Sequence, residues 1–230
     1  MIDFHTHILP GIDDGSKNAD ESISMLKMLS EQSVDTVVAS PHFYPRKSDV
    51  DTFLEKRNNA FEKLKEISPE SVSNVLLGAE LYFFDGISRA DELPKLTIGK
   101  SRLLLIEMPF VCWTERTVQE LLTLTCRNDI IPVLAHIDRY LDMQKPQTIR
   151  AIIDRGILMQ VNADSLLRFF ARRRLLGMLA GGEIQFLGDD CHNTVSRPPI
   201  IEKAKTVIEK KLGKEFFESF DNNSRKYLNY

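Results

Sequence analysis

Leu103-Leu104-Leu105-Ile106-Glu107-Met108 is apolar at every position but one. A strand with one face in water alternates apolar and polar residues. An unbroken run such as this belongs to a strand covered on both faces, as in parallel sheets flanked by helices. Comparable runs lie on either side. Ile2, Phe4 and Thr6 alternate with Asp3, His5 and His7; residues 34–40 and 75–84 precede the central run, and residues 130–136, 157–162 and 184–188 follow it. Helical spacing fills the intervals. Asp20-Glu21-Ser22 opens a helix with Ile23, Leu26 and Leu29 inward, and residues 51–67 turn Phe53, Leu54, Phe61, Leu64 and Ile67 inward. Residues 117–127, 148–155, 165–180, 199–212 and 214–220 read as further helices. Strand and helix alternate at the spacing of βα units, without linker, repeat or low-complexity segment, which predicts an α/β fold in one domain over residues 1–230. Seven short strands, each followed by a helix or loop, favour a closed or nearly closed, TIM-like β/α barrel. A doubly wound open sheet is the alternative.

The ends of these runs carry the chemistry. Side chains two apart on a strand share a face, so His5 and His7 project together. Asp13 and Asp14 follow within reach, after the Pro10-Gly11 turn. His42 comes just after the second run, His136 closes the fifth and His192 lies just beyond the seventh, while Glu80 interrupts the third and Glu107 ends the fourth. In β/α barrels the functional groups stand at the C-terminal ends of the strands; in a doubly wound sheet they would gather at one switch point. Nitrogen and oxygen donors drawn from nearly every strand describe a polynuclear metal site. Two histidines near an N-terminus mean little alone. The placement of all five histidines at strand ends gives them weight.

Composition narrows the classes. The 230 residues are 43% hydrophobic, enough for a sizeable core, and the formal net charge of −3 argues against a nucleic-acid binder held by phosphate contacts. No apolar run approaches a membrane span, and Met1-Ile2-Asp3-Phe4-His5 lacks the basic and apolar parts of a signal peptide. Cys112, Cys126 and Cys191 have no framework spacing, which predicts reduced thiols in the cytoplasm.

Several motifs stand in order along the chain: Asp3-Phe4-His5-Thr6-His7, Asp13-Asp14-Gly15, Pro41-His42, Gly78-Ala79-Glu80 and Leu105-Ile106-Glu107. Ala135-His136-Ile137-Asp138-Arg139-Tyr140, Gln160-Val161-Asn162-Ala163 and Asp190-Cys191-His192-Asn193 follow, then Arg197-Pro198-Pro199. Over essentially its whole length the sequence resembles the polymerase-and-histidinol-phosphatase (PHP) superfamily, and within it the bacterial metal-dependent protein-tyrosine phosphatases found with capsule and exopolysaccharide genes. The resemblance implies a distorted seven-stranded barrel around three divalent metals. It implies that His5, His7, Glu80 and Asp190 hold one metal, with Glu80 bridging to a second. Glu107 and His136 would hold that second ion, and Asp14, His42 and His192 the third. Imidazole and carboxylate donors without thiolate suit manganese, iron or zinc, and the resemblance makes manganese the first choice. Asp189 stands where the family usually has a small residue, so Asp189 and Asp190 are alternatives; Asp190 is favoured because it shares a face with His192. The implied activity is hydrolysis of phosphotyrosine in a protein. The implied partner is the phosphorylated tail of a bacterial tyrosine kinase that controls polysaccharide assembly.

Phosphate monoesters hydrolyse very slowly unassisted. Clustered divalent metals acidify a water and offset charge on phosphoryl oxygens, and an arginine fork binds two such oxygens at once. Arg139, three residues past His136, and Arg197, five past His192, are placed for that role, against a plain reading as surface ion pairs. A rival mechanism lies in the same segment. Cys191 and Arg197 have the Cys-x5-Arg spacing of cysteine-dependent tyrosine phosphatases, but the stretch holds no glycine for a phosphate loop and Pro198 follows the arginine. Phe43, Tyr44, Tyr82, Phe83, Phe84, Phe110 and Trp113 follow proposed ligands, and either line a slot for a phosphotyrosine ring or simply pack. Arg168, Arg172, Arg173 and Arg174 read as a solvated helix face, or as a guide for an acidic phosphopeptide. Two competing functions complete the set: a PHP phosphoesterase for a small ester such as histidinol phosphate, and a metal-stabilised binding module without turnover.

Overall fold

The computed structural model describes residues 1–71 and 74–228. The first half of the chain forms β1 (Ile2–Thr6), α1 (Ala19–Glu31), β2 (Thr36–Ala39), β3 (His42–Phe43), α2 (Val50–Ile67), β4 (Val75–Leu77), β5 (Glu80–Tyr82) and β6 (Leu103–Glu107). The second half forms α3 (Glu115–Thr123), β7 (Ile131–Leu134), α4 (Pro146–Asp154), β8 (Leu158–Asn162), α5 (Ala163–Leu167), α6 (Phe169–Ala180), β9 (Phe186–Gly188), α7 (Ile201–Leu212) and α8 (Lys214–Leu228).

All strand pairs are parallel. They run β1–β2–β4 in one sheet and β3–β5–β6–β7–β8–β9 in the other. The strand expected over 75–84 is broken into β4 and β5, and the one expected over 34–40 ends at Ala39 and resumes past Pro41 as β3, so the first parts pair in one sheet and the second parts in the other. The breaks are stitched by Gly78 N–H donating to the Ala39 carbonyl (2.8 Å) and Glu80 N–H to that of Pro41 (3.0 Å). At the opposite edge Asp190 N–H donates to the His5 carbonyl (2.7 Å) and His7 N–H to that of Cys191 (3.0 Å), which laces the segment after β9 to β1. The result is a mixed α/β fold around a curled parallel sheet. Strand order follows the chain without reversal, so the switch point of a doubly wound sheet is absent from the described residues.

Strand β6 is buried on both faces, as its composition requires. Leu104 and Ile106 pack with the helices in the larger core cluster, while Leu103 and Leu105 join Ile2, Phe4, Val38, Val133 and Phe186 in a smaller one. Glu107 continues the Leu103–Leu105 face by alternation. Gly188 is required where β9 passes β1, since a Cβ there would stand 2.6 Å from that of His5.

Three helix expectations need correction. Ile67 is 59% exposed rather than inward, because it ends α2 where the chain leaves the core. The helix expected over 165–180 is two, α5 and α6, broken at Arg168, whose backbone is extended. The last helix continues to Leu228, where Tyr227 and Leu228 pack on the smaller core cluster. Among the described residues no helix is long and apolar enough to cross a membrane.

Candidate metal centre

The parallel strands bring their C-terminal ends to one rim, and the donors arrive there together. His5 and His7 come from the end of β1 and Glu107 from that of β6, His42 and Glu80 open β3 and β5 just past the strand breaks, and His136 follows β7 and Asp190 and His192 follow β9. Three non-glycine residues among those described have positive φ, and two of them are His136 (33°) and Asp190 (54°). Left-handed backbone is costly for such residues and collects at functional sites. Here the neighbours impose it: the His136 N–H donates to Gln160 Oε1 at 2.6 Å, and the Asp190 N–H is tied to His5 as above.

The side chains converge around Glu80. Its Oε2 lies 3.2 Å from His5 Nε2, 3.3 Å from His7 Nε2 and 3.0 Å from His42 Nδ1, and its Oε1 lies 2.9 Å from His136 Nε2. His5 and His7 face each other through Nε2 atoms 3.2 Å apart, and Asp190 Oδ1 is 3.3 Å from His7 Nε2. Glu107 stands 3.6 Å from His136 Nε2 and 3.7 Å from His42 Nδ1. Asp14 Oδ1 lies 3.5 Å from His42 Nε2 and 3.6 Å from His192 Nε2. Three sets of donor atoms are close enough to share a cation: His5, His7 and Asp190; His42, Glu80 and Glu107; and His7, Asp14, His42 and His192. All nine residues expected at a metal site therefore meet in one cup. The grouping differs in detail from that implied by the resemblance, because His7 and His42 each stand between two sets and His136 reaches its set through Glu80 and Glu107.

The donor set fits cations better than it fits itself. Buried polar atoms normally find hydrogen-bond partners, yet His42 Nδ1, Glu80 Oε2 and His192 Nε2 have none. The His42–Glu80 approach is close but not aligned as a hydrogen bond. Charge compensates in part. Burial opposes protonation of His7, but Asp13 and then Asp190 and Glu80 outweigh it and raise its pKa. Burial likewise opposes His136, and hydrogen bonds to Glu107 and Glu80 overcome it, lifting the ring to about 9. The Glu80 and Asp190 carboxyls are held well below their usual range, against the cost of burial, chiefly by His5 with His136 and His42 for Glu80, and by His5 and His7 for Asp190. His192 is pushed down to about 4 by burial and by the charge of His7. Protons here stand where Lewis acids could, between nitrogen and oxygen lone pairs.

The capsular polysaccharide synthesis family CpsB/CapC matches residues 1–229. This chain belongs to it. The CpsB/CapC relatives include the tyrosine-protein phosphatase CpsB of Streptococcus pneumoniae, 32% identical over 99% of this chain and 98% of that protein. The tyrosine-protein phosphatase YwqE of Bacillus subtilis is 28% identical over 94% of this chain and 86% of its own length. A crystal structure from the study of YwqE and S. pneumoniae CpsB, described as unique metal-dependent tyrosine phosphatases, superposes with a TM-score of 0.84 at 25% identity, covering 100% of this chain and 94% of that one. Histidinol phosphate phosphatase from Lactococcus lactis, solved with zinc, L-histidinol and phosphate, shares the fold at a TM-score of 0.56 and 11% identity, over 91% of this chain and 92% of that one.

Around the donors this CpsB/CapC chain builds a layer of neutral and charged supports that the sequence reading left without roles. Gln160 Oε1 accepts from the His136 N–H and lies 3.2 Å from His5 Nδ1. Gln160 Nε2 donates to Asn162 Oδ1 (3.0 Å), and Asn162 Nδ2 donates to Asp190 Oδ2 (2.9 Å). Their signal was present: Gln160 and Asn162 lie two apart at the end of a buried strand, like His5 and His7. Asp13, read beside Asp14 as an oxygen donor, instead meets His7 Nδ1 at 2.7 Å and accepts the His42 N–H at 3.0 Å, so it orients two rings. Of the two alternatives after β9, Asp190 faces the cup. Asp189 turns away to accept the N–H groups of Ile200 and Ile201 at the start of α7, and burial lifts it to about 7.

Arg139 and Arg197 both reach Asp190 Oδ2, Arg197 at 2.7 Å, and each arginine side chain remains about a third or more exposed at the rim. Phe110 stacks on His136 (centroids 5.7 Å apart) and Tyr44 lies tilted against His42 (5.3 Å). Phe43 and Phe83 are core packing. Arg172 and Arg174 bond the carbonyls of Leu166, Leu167 and Leu141, and Arg168 pairs with Asp164, so three of the four arginines brace local backbone or a neighbouring carboxylate. Cys191 is buried, and burial with Asp3 and Asp189 raises its thiol well above the ordinary value, the reverse of an activated nucleophile.

Proposed function

We propose that this protein is a metal-dependent phosphatase that hydrolyses phosphotyrosine in proteins. The observation that carries the reading is the single cup in which nine imidazole and carboxylate donors meet beneath two guanidiniums. His5, His7 and Asp190 would hold one cation, Glu80, Glu107 and His136 with His42 a second, and Asp14, His42 and His192 a third; manganese is the first choice, with iron or zinc as alternatives. Divalent cations bound there would supply Lewis-acid stabilisation of charge on the phosphoryl oxygens and acidify a water.

The chain's own residues do the rest. Arg139 and Arg197, which meet on one carboxylate oxygen, present N–H donors at the rim, where phosphoryl oxygens can take the exposed ones. Phe110 and Tyr44 flank the entrance and suit a flat ring held above the cup. Asp13, Gln160 and Asn162 keep His5, His7, His136 and Asp190 aimed, so little reorganisation accompanies charge development.

The same reading takes residues 1–230 as one domain, supported by the family match over nearly all of them. It takes the curled sheet as a distorted seven-stranded barrel, counting β2 with β3 and β4 with β5 as two interrupted strands, supported by the bonds between β1 and the segment after β9. It takes the substrate to be a tyrosine kinase of capsule or exopolysaccharide assembly, supported by the capsular and tyrosine-phosphatase names of its relatives, and places the protein in the cytoplasm, in keeping with three cysteines without framework spacing. The test compares a phosphotyrosine peptide, histidinol phosphate and a chromogenic aryl phosphate with and without manganese, alongside metal analysis of the purified protein. Manganese-dependent turnover that prefers the peptide is expected. Preference for the small ester, or no turnover at all, would replace the reading with a phosphoesterase or a binding module.

A further inference from the structure

A cavity of about 540 Å³ opens beside the donor cup and shares Asp14 and His42 with it. Its volume lies in the range of small-ligand sites, about 300–1,000 Å³, and exceeds what one aromatic ring fills. The walls are chemically divided. Ile12, Phe43 and Phe53 supply apolar surface, whereas Lys47 and Lys56 bring two ammonium groups from the turn before α2 and from the first half of α2.

The charges of this cavity are unequal in their partners. Asp13 is engaged by His7 and the His42 N–H, and Asp14 lies against the rings of His42 and His192. Among the described residues neither Lys47 nor Lys56 has a carboxylate partner; Lys47 Nζ lies 4.3 Å above the ring of Tyr44. Two of the other charges on α2 are engaged at its surface, Asp51 by Lys95 at 2.8 Å and Glu62 by Lys65 at 3.6 Å. An apolar floor with unmatched cations at its edge suits a short apolar stem that ends in an anion. The cavity adjoins the place where a phosphoryl group would sit, so the stem belongs to a residue close to the phosphorylated one.

We propose that this cavity is a specificity subsite that takes an aspartate or glutamate near the phosphotyrosine, its carboxylate paired with Lys47 and Lys56. The inference rests on the phosphotyrosine reading above and adds a sequence preference to it. Lys47 and Lys56 act on the choice of substrate; Tyr44, beneath Lys47 and against His42, links the subsite to the cup.

Two synthetic phosphotyrosine peptides, identical except for glutamate or glutamine at the positions flanking the phosphotyrosine, test it with the manganese-loaded full chain. The expected ratio of kcat/KM is about fivefold in favour of the glutamate peptide, the scale of half-exposed ion pairs, and should shrink as salt is raised. In K47Q/K56Q the ratio should fall to near one. Each ratio is read within a single enzyme, so a general loss of activity cancels. A ratio near one in the unaltered protein, or a preference that survives K47Q/K56Q, overturns the subsite while leaving phosphotyrosine hydrolysis standing. Failure to hydrolyse either peptide, with a small ester turned over in the same preparation, overturns both.

Discussion

Strands β1 and β6 and the β9 segment change character along their length. At one end Ile2, Phe4, Leu103, Leu105 and Phe186 form a dry apolar cluster. At the other, His5, His7, Glu107 and Asp190 crowd together, equally buried but ionisable. The apolar end stabilises the fold by removing surface from water. The polar end works against it, because buried charges lose hydration and regain only what their neighbours return. The sheet therefore acts as a rigid holder that keeps an unfavourable arrangement in place.

That contrast can be broken from either end. The largest effect is expected from His136→Ala, which removes a ring bonded to Glu80: turnover should fall by orders of magnitude and bound metal should drop. Near-normal values of both, by peptide assay and metal analysis, would take His136 out of the centre. Gln160→Ala, one layer back, should cost about 10–100-fold in metal affinity or activity, read by metal titration and kcat together.

Leu105→Ala probes the apolar end, where stability should fall by about 2–5 kcal/mol in denaturant melts. The kcat of the folded enzyme at low temperature should change little. A large loss of kcat without a loss of stability would mean that the two ends are not separable.

The pH dependence of chelator-treated protein sharpens the comparison further. His7 and His136 are raised above the ordinary histidine value of about 6.5, so their contribution is complete below that pH and is lost as pH climbs through the folded values, about 9 for His136. His192, lowered to about 4, acts in the opposite sense: stability falls with acid between 6.5 and 4 because the unfolded ring takes the proton more readily. Glu80 and Asp190, held below their usual range, add further loss at still lower pH. Asp189, lifted to about 7, opposes His192 below neutrality, so the readable signal is a fall of Tm from pH 6.5 to 9, which saturating manganese should remove. A Tm that rises steadily from pH 6.5 to 9 without metal would contradict this. The smallest effect is expected from Cys191→Ser, which should leave turnover near normal; loss of turnover with metal still bound would restore the thiol mechanism.

Much of this was legible in the residues. The apolar run of β6 marked a strand buried on both faces, and the donors at successive strand ends marked the cup. The break within the strand expected over 75–84, and the resumption of the one expected over 34–40 as β3, were not legible, because periodicity describes faces and is blind to which neighbour a backbone carbonyl meets. The supporting roles of Gln160 and Asn162 were half legible: their spacing put both on one face of a buried strand, but a buried amide looks alike in sequence whether it braces a ligand or a turn. That Asp13 orients the rings of His7 and His42 while Asp14 lies against His42 and His192 was not legible, because adjacent carboxylates are equivalent until the chain direction after Gly11 is known.

Residue order alone established the α/β alternation, the apolar interior and the identity of the donors, since these depend on local pattern and side-chain chemistry. Only the folded chain decided that Glu80 lies at the centre of the donors, that Asp190 faces inward while Asp189 caps a helix, and that Lys47 and Lys56 stand beside the cup without a carboxylate partner among the described residues. Those facts depend on contacts between segments far apart in the chain, and they are set by strand register and curvature, which no single segment contains.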